Sequence, residues 1–586
     1  NINNITNSLN SLSPDVAFTV LRLSLQPRLQ FHQQTHRFDL LCEANKDVQI
    51  CLDNAVNQIF SFDPRSPDSY SMQPNTLPDP RIMEQLIALP ARLKGLGLRR
   101  MDDFVGAAAA IGGWDMTARN LIDRTDEEGN CRAGLYPLLE PVFGAKSQDS
   151  DNEDTRFSCF TDGRSRTGLQ LKEAFNWLRS QAPGEASGPL SRPIESLRPT
   201  DAKKPKLQNE LTKQIEENRA CKIKERFNQL PPNDRRKTAF ENRLPNTAAC
   251  LTTIPTHATE VPQKLFPSVA ALLLGAHDPQ LKELIGSNIG DTNLKVDVYG
   301  DALGVAQLPG DRWRSAHDTL KYQVFLDGRL LGINIRKELY GLFTRYYSSE
   351  GRSDYDKLSQ QEKRRQTIVP DLVSANHPDG SVLQTPGLQM HEIKRIQSIQ
   401  SFNRTTGSST GLNDLYKPHP RSAFVRAADR RVKKIPAEYK AKARAADARF
   451  VGARSGRILN ALNAMPEVKG IAFGALGEFS SSVNNLIDGF AHEGALKNPE
   501  RFGQNNYKMA YGVIHWWLKR RWSRLAVITA VTSRHDALRY VGGSAQRQAA
   551  THHARTQKHD DWRFDNAFRK AEAEGFSHGW GARFNA

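Results

Sequence analysis

Two short apolar runs constrain the fold of this chain more than any other stretch: residues 369–373 (Val-Pro-Asp-Leu-Val) and residues 388–396 (Leu-Gln-Met-His-Glu-Ile-Lys-Arg-Ile). Each carries polar residues that a plain core strand would not need. Between them His377-Pro378-Asp379-Gly380 is a turn signal, so the pair reads as a β-hairpin or as two neighbouring strands. Side chains alternate along a strand, which places Glu392 and Lys394 on one face. With Asp371 on the adjacent strand, two carboxylates and one ammonium converge. Such a grouping suits phosphodiester hydrolysis. Two carboxylates can hold Mg²⁺ or Mn²⁺, hard ions that prefer oxygen, and a lysine can orient water or offset developing charge. Taken alone, the residues leave a second reading open, a surface hairpin with a solvated charge pair.

Composition narrows the partner. The 586 residues include 81 Lys and Arg against 64 acids, a formal charge of +17 that points to a polyanion. A chain of this length predicts about three or four domains. The six cysteines (42, 51, 131, 159, 221 and 250) all lie in the first half and form no CxxC pair, so neither a disulfide framework nor a zinc finger is indicated. No apolar run approaches the roughly 20 residues that span a bilayer, and the amino end is polar rather than a signal peptide. These features predict a nuclear or otherwise intracellular, nucleic-acid-facing protein that is not secreted and has no membrane partner. The chain opens on Asn rather than Met, which reads as a fragment.

The order Pro-Asp, a spacer, then Glu-x-Lys resembles the PD-(D/E)xK motif of restriction-like endonucleases. Two blocks near the start, "LRLSLQPRLQFHQQTHRFD" and "LPARLKGLGLRRMDDFVGAAAAIG", resemble the stretch after the polymerase core in non-LTR retrotransposon reverse transcriptases. That family carries Leu-Pro-x-Arg-x-Gly-Gly-Leu-Gly there, and Lys94 stands here in place of the first glycine. "VDVYGDALGVAQLPGDRWRSAHDTLKYQVF" and "FGALGEFSSSV" continue the resemblance in order. The family's Cys/His knuckle before the basic-His-Asp stretch has no cysteine here, so no zinc is expected. A polymerase site is not expected either. The only Asp-Asp pairs are Asp102-Asp103, which reads as a helix opening, and Asp560-Asp561 in a polar tail.

The resemblance implies the carboxy-terminal part of a retroelement polyprotein, whose endonuclease nicks target DNA so that a 3′ hydroxyl primes reverse transcription. It implies Asp371 and Glu392 as metal ligands, Lys394 as the water-orienting or charge-stabilising group, and Glu338 as a third acid by position. DNA is the expected partner, with the element's RNA beside it; the oligomeric state stays open. Arg312, Arg314 and His317 would hold phosphates. So would the run 421–457, where twelve Lys and Arg, among them Arg430, Arg431, Lys433, Lys434, Lys440 and Arg444, face three acids. A competing reading is a nucleic-acid-binding remnant that has lost catalysis.

The expected organisation is multi-domain and mostly α, with one α/β domain of restriction-endonuclease type, a central mixed sheet flanked by helices. Residues 1–145 read as a thumb-like helical region, 146–240 as a polar linker with helices, and 241–295 as a helical connector. Residues 296–455 form the endonuclease domain, 456–540 a helical domain, and 541–586 a basic tail. Residues 357–365 read as a basic loop, 421–457 as helix broken at Pro436, and the tryptophans 516, 517 and 522 as core.

Overall fold

The computed structural model describes residues 7–36, 38–70, 81–103, 106–113, 166–180, 190, 207–230, 234–242, 249–255, 260–306, 308, 312–374, 388–396, 423–452, 456–502 and 506–542. The fold is mostly helical, with one four-stranded mixed sheet. The chain divides into two compact units, Asn1–Leu230 and Pro231–Ala586.

Among the described residues the first unit is helical: α1 (Pro14–Val20), α2 (Gln26–Thr35), α3 (Phe38–Phe60), α4 (Arg81–Ala88) and α5 (Leu207–Gln229) are its main elements. Prolines 14 and 27 predict a helix bounded by both, but only Pro14 behaves so. Pro27 sits in the first turn of α2, joined to α1 by a π-helical turn over Leu21–Leu25. That wider turn closes with the N–H of Gln26 on the carbonyl of Leu21, just before Pro27. After α4 the chain reverses tightly. Lys94 adopts φ +69°, the left-handed conformation that glycine enters without strain, at the position where the resembled family carries glycine. At Gly95 an added Cβ would lie 1.8 Å from the carbonyl oxygen of Leu89, so only glycine fits. Asp102 and Asp103 are bound to Arg100 and Arg219, as structural ion pairs.

The second unit is built on the sheet β1 (Ile335–Lys337), β2 (Leu372–Ser374), β3 (Gln389–Ile396) and β4 (Lys469–Gly474), in that order. The first three strands are antiparallel neighbours, and β4 runs parallel to β3. Alternation sorts the side chains to two cores. Ile335, Leu372, Ile393, Ile471 and Phe473 meet α6 (Arg312–Leu330), α10 (Ser481–Lys497) and α11 (Tyr507–His535) around Val324, Phe490 and Trp522. Val373 and Met390 face the other way, onto α9 (Ile435–Ala446) through Ile435, Tyr439 and Ala443. Ile396 and Ala472 meet Ala428 of α8 (Ala423–Lys433) on that same side.

Several local expectations change. Residues 456–540, read as wholly helical, supply the parallel strand β4, so the sheet expected within 296–455 is completed from beyond that range. Residues 360–366 form α7 (Gln360–Gln366) rather than loop, because Ser359 and Glu362 make a reciprocal capping box. The helix expected to break at Pro436 does break there, within two residues of that proline. Pro436 lies in the first turn of α9, where its missing N–H costs nothing, and the break falls at Lys434. Trp522 is core, at 1% exposure. Trp516 is 44% exposed, with the Arg520 guanidinium 3.4 Å from its ring centre. The turn at His377–Gly380 and the tail 543–586 lie outside the described residues, as does the acidic loop 147–154. No described helix is long and apolar enough to cross a membrane.

Candidate active site

The antiparallel register of β2 and β3 ends at Leu372 opposite His391. Just beyond that last pair stand Asp371, which precedes β2, and Glu392, which follows His391 in β3. Asp371 terminates the ladder with its own side chain: Oδ2 accepts the N–H of Ile393 at 2.8 Å. Its backbone carbonyl accepts the N–H of Glu338 at 3.1 Å, so the end of β1 holds the start of β2. On β3, Lys394 Nζ donates to Glu392 Oε1 at 2.6 Å, and the hydroxyl of Tyr439 on α9 donates to Oε2 at 2.6 Å. Both acids are about nine-tenths buried, each side chain 13% exposed.

Helix α6 supplies the groups that short-range reading could not find. His317 places Nε2 3.1 Å from Asp371 Oδ2 and 3.1 Å from the carbonyl oxygen of Ile393, while Nδ1 lies 3.1 Å from Asp318 Oδ1. Both ring nitrogens face only acceptors, so the doubly protonated ring satisfies them all. Burial opposes that charge, but the bonds to Asp318 and Asp371 outweigh it and push the His317 pKa up to about 9. Burial likewise opposes charge on Asp371, and His317, the Ile393 N–H and Lys321 together hold its carboxyl below the usual range. Lys321, one turn along α6 and buried, donates to Asp318 Oδ1 at 2.6 Å and pairs with Glu338. Asp318 is held strongly ionised: burial raises its pKa, but His317 and Lys321 more than reverse that.

The Glu338 side chain bonds to groups other than Asp371 and Glu392. Its Oε1 is taken by Lys321 and by Arg364 of α7, and Tyr340 donates to Oε2 at 3.4 Å. Among the described residues no group of three or more His, Cys, Asp or Glu is arranged to hold a metal. Glu338 adopts φ +51°, a strained conformation for a residue with a side chain, and it is held there by those two cations.

The phosphate-contact candidates differ in where they lie. Arg314 lies 3.7 Å from Asp318, and the side chain of Arg312 is outside the described residues. His317, read from the sequence as a phosphate contact, instead turns both nitrogens into the acid cluster. On α8, on α9 and at the break between them, Arg430, Lys433, Lys434, Lys440 and Arg444 are exposed and make no ion pair among the described residues, whereas Arg431 is paired with Glu438.

The donor set suits a hard cation. Asp371 and Glu392 offer carboxylate oxygens, and Asp371 Oδ1 accepts no hydrogen bond among the described residues. Mg²⁺ characteristically uses one or two carboxylates and keeps its waters. No family model matches the chain, and no curated protein matches it either.

Proposed function

We propose that the Pro231–Ala586 unit is a metal-dependent DNA endonuclease of the restriction-like class, carried by a non-LTR retrotransposon protein. The observation that supports this reading is that Asp371 accepts the N–H of Ile393, the neighbour of Glu392, while Lys394 on the same strand bonds Glu392. Asp371 and Glu392 would hold Mg²⁺ or Mn²⁺, and that ion supplies Lewis acidity toward a phosphoryl oxygen when bound. Lys394 orients the attacking water or offsets the charge that develops on phosphorus-bound oxygens. In the reaction the water oxygen bonds to phosphorus, the P–O3′ bond breaks, and a proton from the water ends on the 3′ oxygen. The exposed 3′ hydroxyl is then a primer. His317, Asp318 and Lys321 position Asp371 from α6, and Glu338 positions it through the backbone. The exposed cations of α8 and α9 carry duplex phosphates without reading bases. The first unit is then the thumb-like region, with the element's RNA as a further partner of the whole protein.

The test is nicking of supercoiled DNA by the purified chain with Mg²⁺ or Mn²⁺. Asp371→Ala and Lys394→Ala are expected to abolish nicking without unfolding the sheet. Cleavage that survives both substitutions, or persists in excess chelator, places the chemistry elsewhere. A chain that binds duplex DNA but never cuts it, with Asp371, Glu392 and Lys394 intact, is a remnant rather than a nuclease.

A further inference from the structure

Glu392 has two oxygens and two partners of opposite character. Oε2 is held by the Tyr439 phenol, which is 2% exposed and packed among Ile435, Ala443 and Met390. Oε1 is held by Lys394, whose side chain is 26% exposed and ends a flexible four-carbon stem. A ligand carboxylate must release one oxygen to a cation. Moving the phenol would drag a buried ring out of its packing, whereas swinging the ammonium costs little beyond its own bond. The asymmetry selects the lysine as the partner that yields.

We infer that Tyr439 is the fixed support of Glu392, holding Oε2 so that Oε1 is the oxygen presented to a cation. This rests on the nuclease reading above. The released Lys394 ammonium stays beside the vacated oxygen, where it can meet water or a phosphoryl oxygen. Because Tyr439 belongs to α9, the helix that displays Lys440 and Arg444 outward also holds the metal carboxylate from within. Phosphate seating and the aim of Glu392 are therefore set by one rigid element. Supporting groups of this kind typically set metal affinity by 10- to 100-fold.

The experiment measures Mn²⁺ binding to the full chain by the electron paramagnetic resonance of unbound Mn²⁺. Tyr439→Phe keeps the ring and is expected to weaken binding about 10-fold or more. Lys394→Ala, which removes a competitor for Oε1, is expected to tighten binding. In Tyr439→Phe, nicking should recover as Mn²⁺ is raised while DNA affinity stays at the wild-type value, which a folding defect would not show. Wild-type or tighter Mn²⁺ binding by Tyr439→Phe, with binding lost in Glu392→Gln, overturns the assignment and leaves the nuclease reading standing. Unchanged Mn²⁺ binding in Glu392→Gln, or none in the wild type, removes the nuclease reading and Tyr439's role with it. Should Tyr439→Phe fail to fold, Lys394→Ala decides: weaker Mn²⁺ binding would make the lysine the support and overturn the inference, and tighter binding upholds it.

Discussion

Glu478 is a carboxylate in the wrong solvent. It follows β4 at the turn where Gly477 takes φ +83°, and its side chain is buried, with Oε2 accepting the N–H of Leu476 at 2.9 Å. Burial pushes its pKa from 4.5 up to about 8, because two backbone N–H groups and the distant Arg235 charge restore only part of what water provided. A folded-state pKa above the unfolded value means stability that is complete below pH 4.5 and drains away as pH rises through about 8. At pH 7 that difference amounts to about 3 kcal/mol, a large share of the stability of an ordinary domain. Glu478→Gln keeps an acceptor for Leu476 and has no charge to desolvate. The variant should match the wild type near pH 4 and exceed it by about 3 kcal/mol at pH 7. Urea unfolding at a series of pH values, read by hydrogen exchange of the β4 peptide, isolates the unit concerned. The difference between the two proteins removes every other titrating group from the comparison. Parallel curves, with a constant offset across that range, would mean that Glu478 is already ionised in the fold, and the reasoning from burial would fail.

At the reversal after α4, Lys94→Gly should raise the melting stability of the first unit by about 0.5–1 kcal/mol, relieving the left-handed backbone; no gain would mean the strain is compensated nearby. Gly95→Ala should lower it by more, since the new Cβ meets the Leu89 carbonyl. His317 should titrate near pH 9 by ring NMR, and its contribution to stability should be complete below 6.5 and lost as pH rises through about 9, a dependence absent from His317→Gln. A midpoint near 6.5 would show that the two aspartates do not hold its proton. Reversing Arg430, Lys433 and Lys434 to Glu should flatten the salt dependence of duplex binding by about 0.9 in slope for each phosphate no longer neutralised, equally on all sequences. An unchanged slope would make that face merely solvated.

The sequence by itself determined what depends on neighbours a few residues away. Alternation placed Glu392 and Lys394 on one strand face, Ser359 with Glu362 carried a helix start, and the glycine pattern after α4 announced a reversal whose first position, though lysine, still adopts the glycine conformation. Pro436 marked the break between α8 and α9 to within two residues: a proline that would disrupt an interior turn is harmless in a first turn, so the chain breaks just before it. Tertiary structure alone decided the rest. The parallel strand β4 carries no pairing signal of its own, because its partner β3 lies about 80 residues upstream and a parallel neighbour needs no turn to mark it. His317 reaches Asp371 across 54 positions and Tyr439 reaches Glu392 across 47. Whether a histidine, a tyrosine or a glutamate faces water or an acid is settled by which helix packs on which side of the sheet. For that reason Glu338, expected from the resemblance among the acids of the site, is held by Lys321 and Arg364, while the tyrosine that grips Glu392 could be found only once α9 lay against β3.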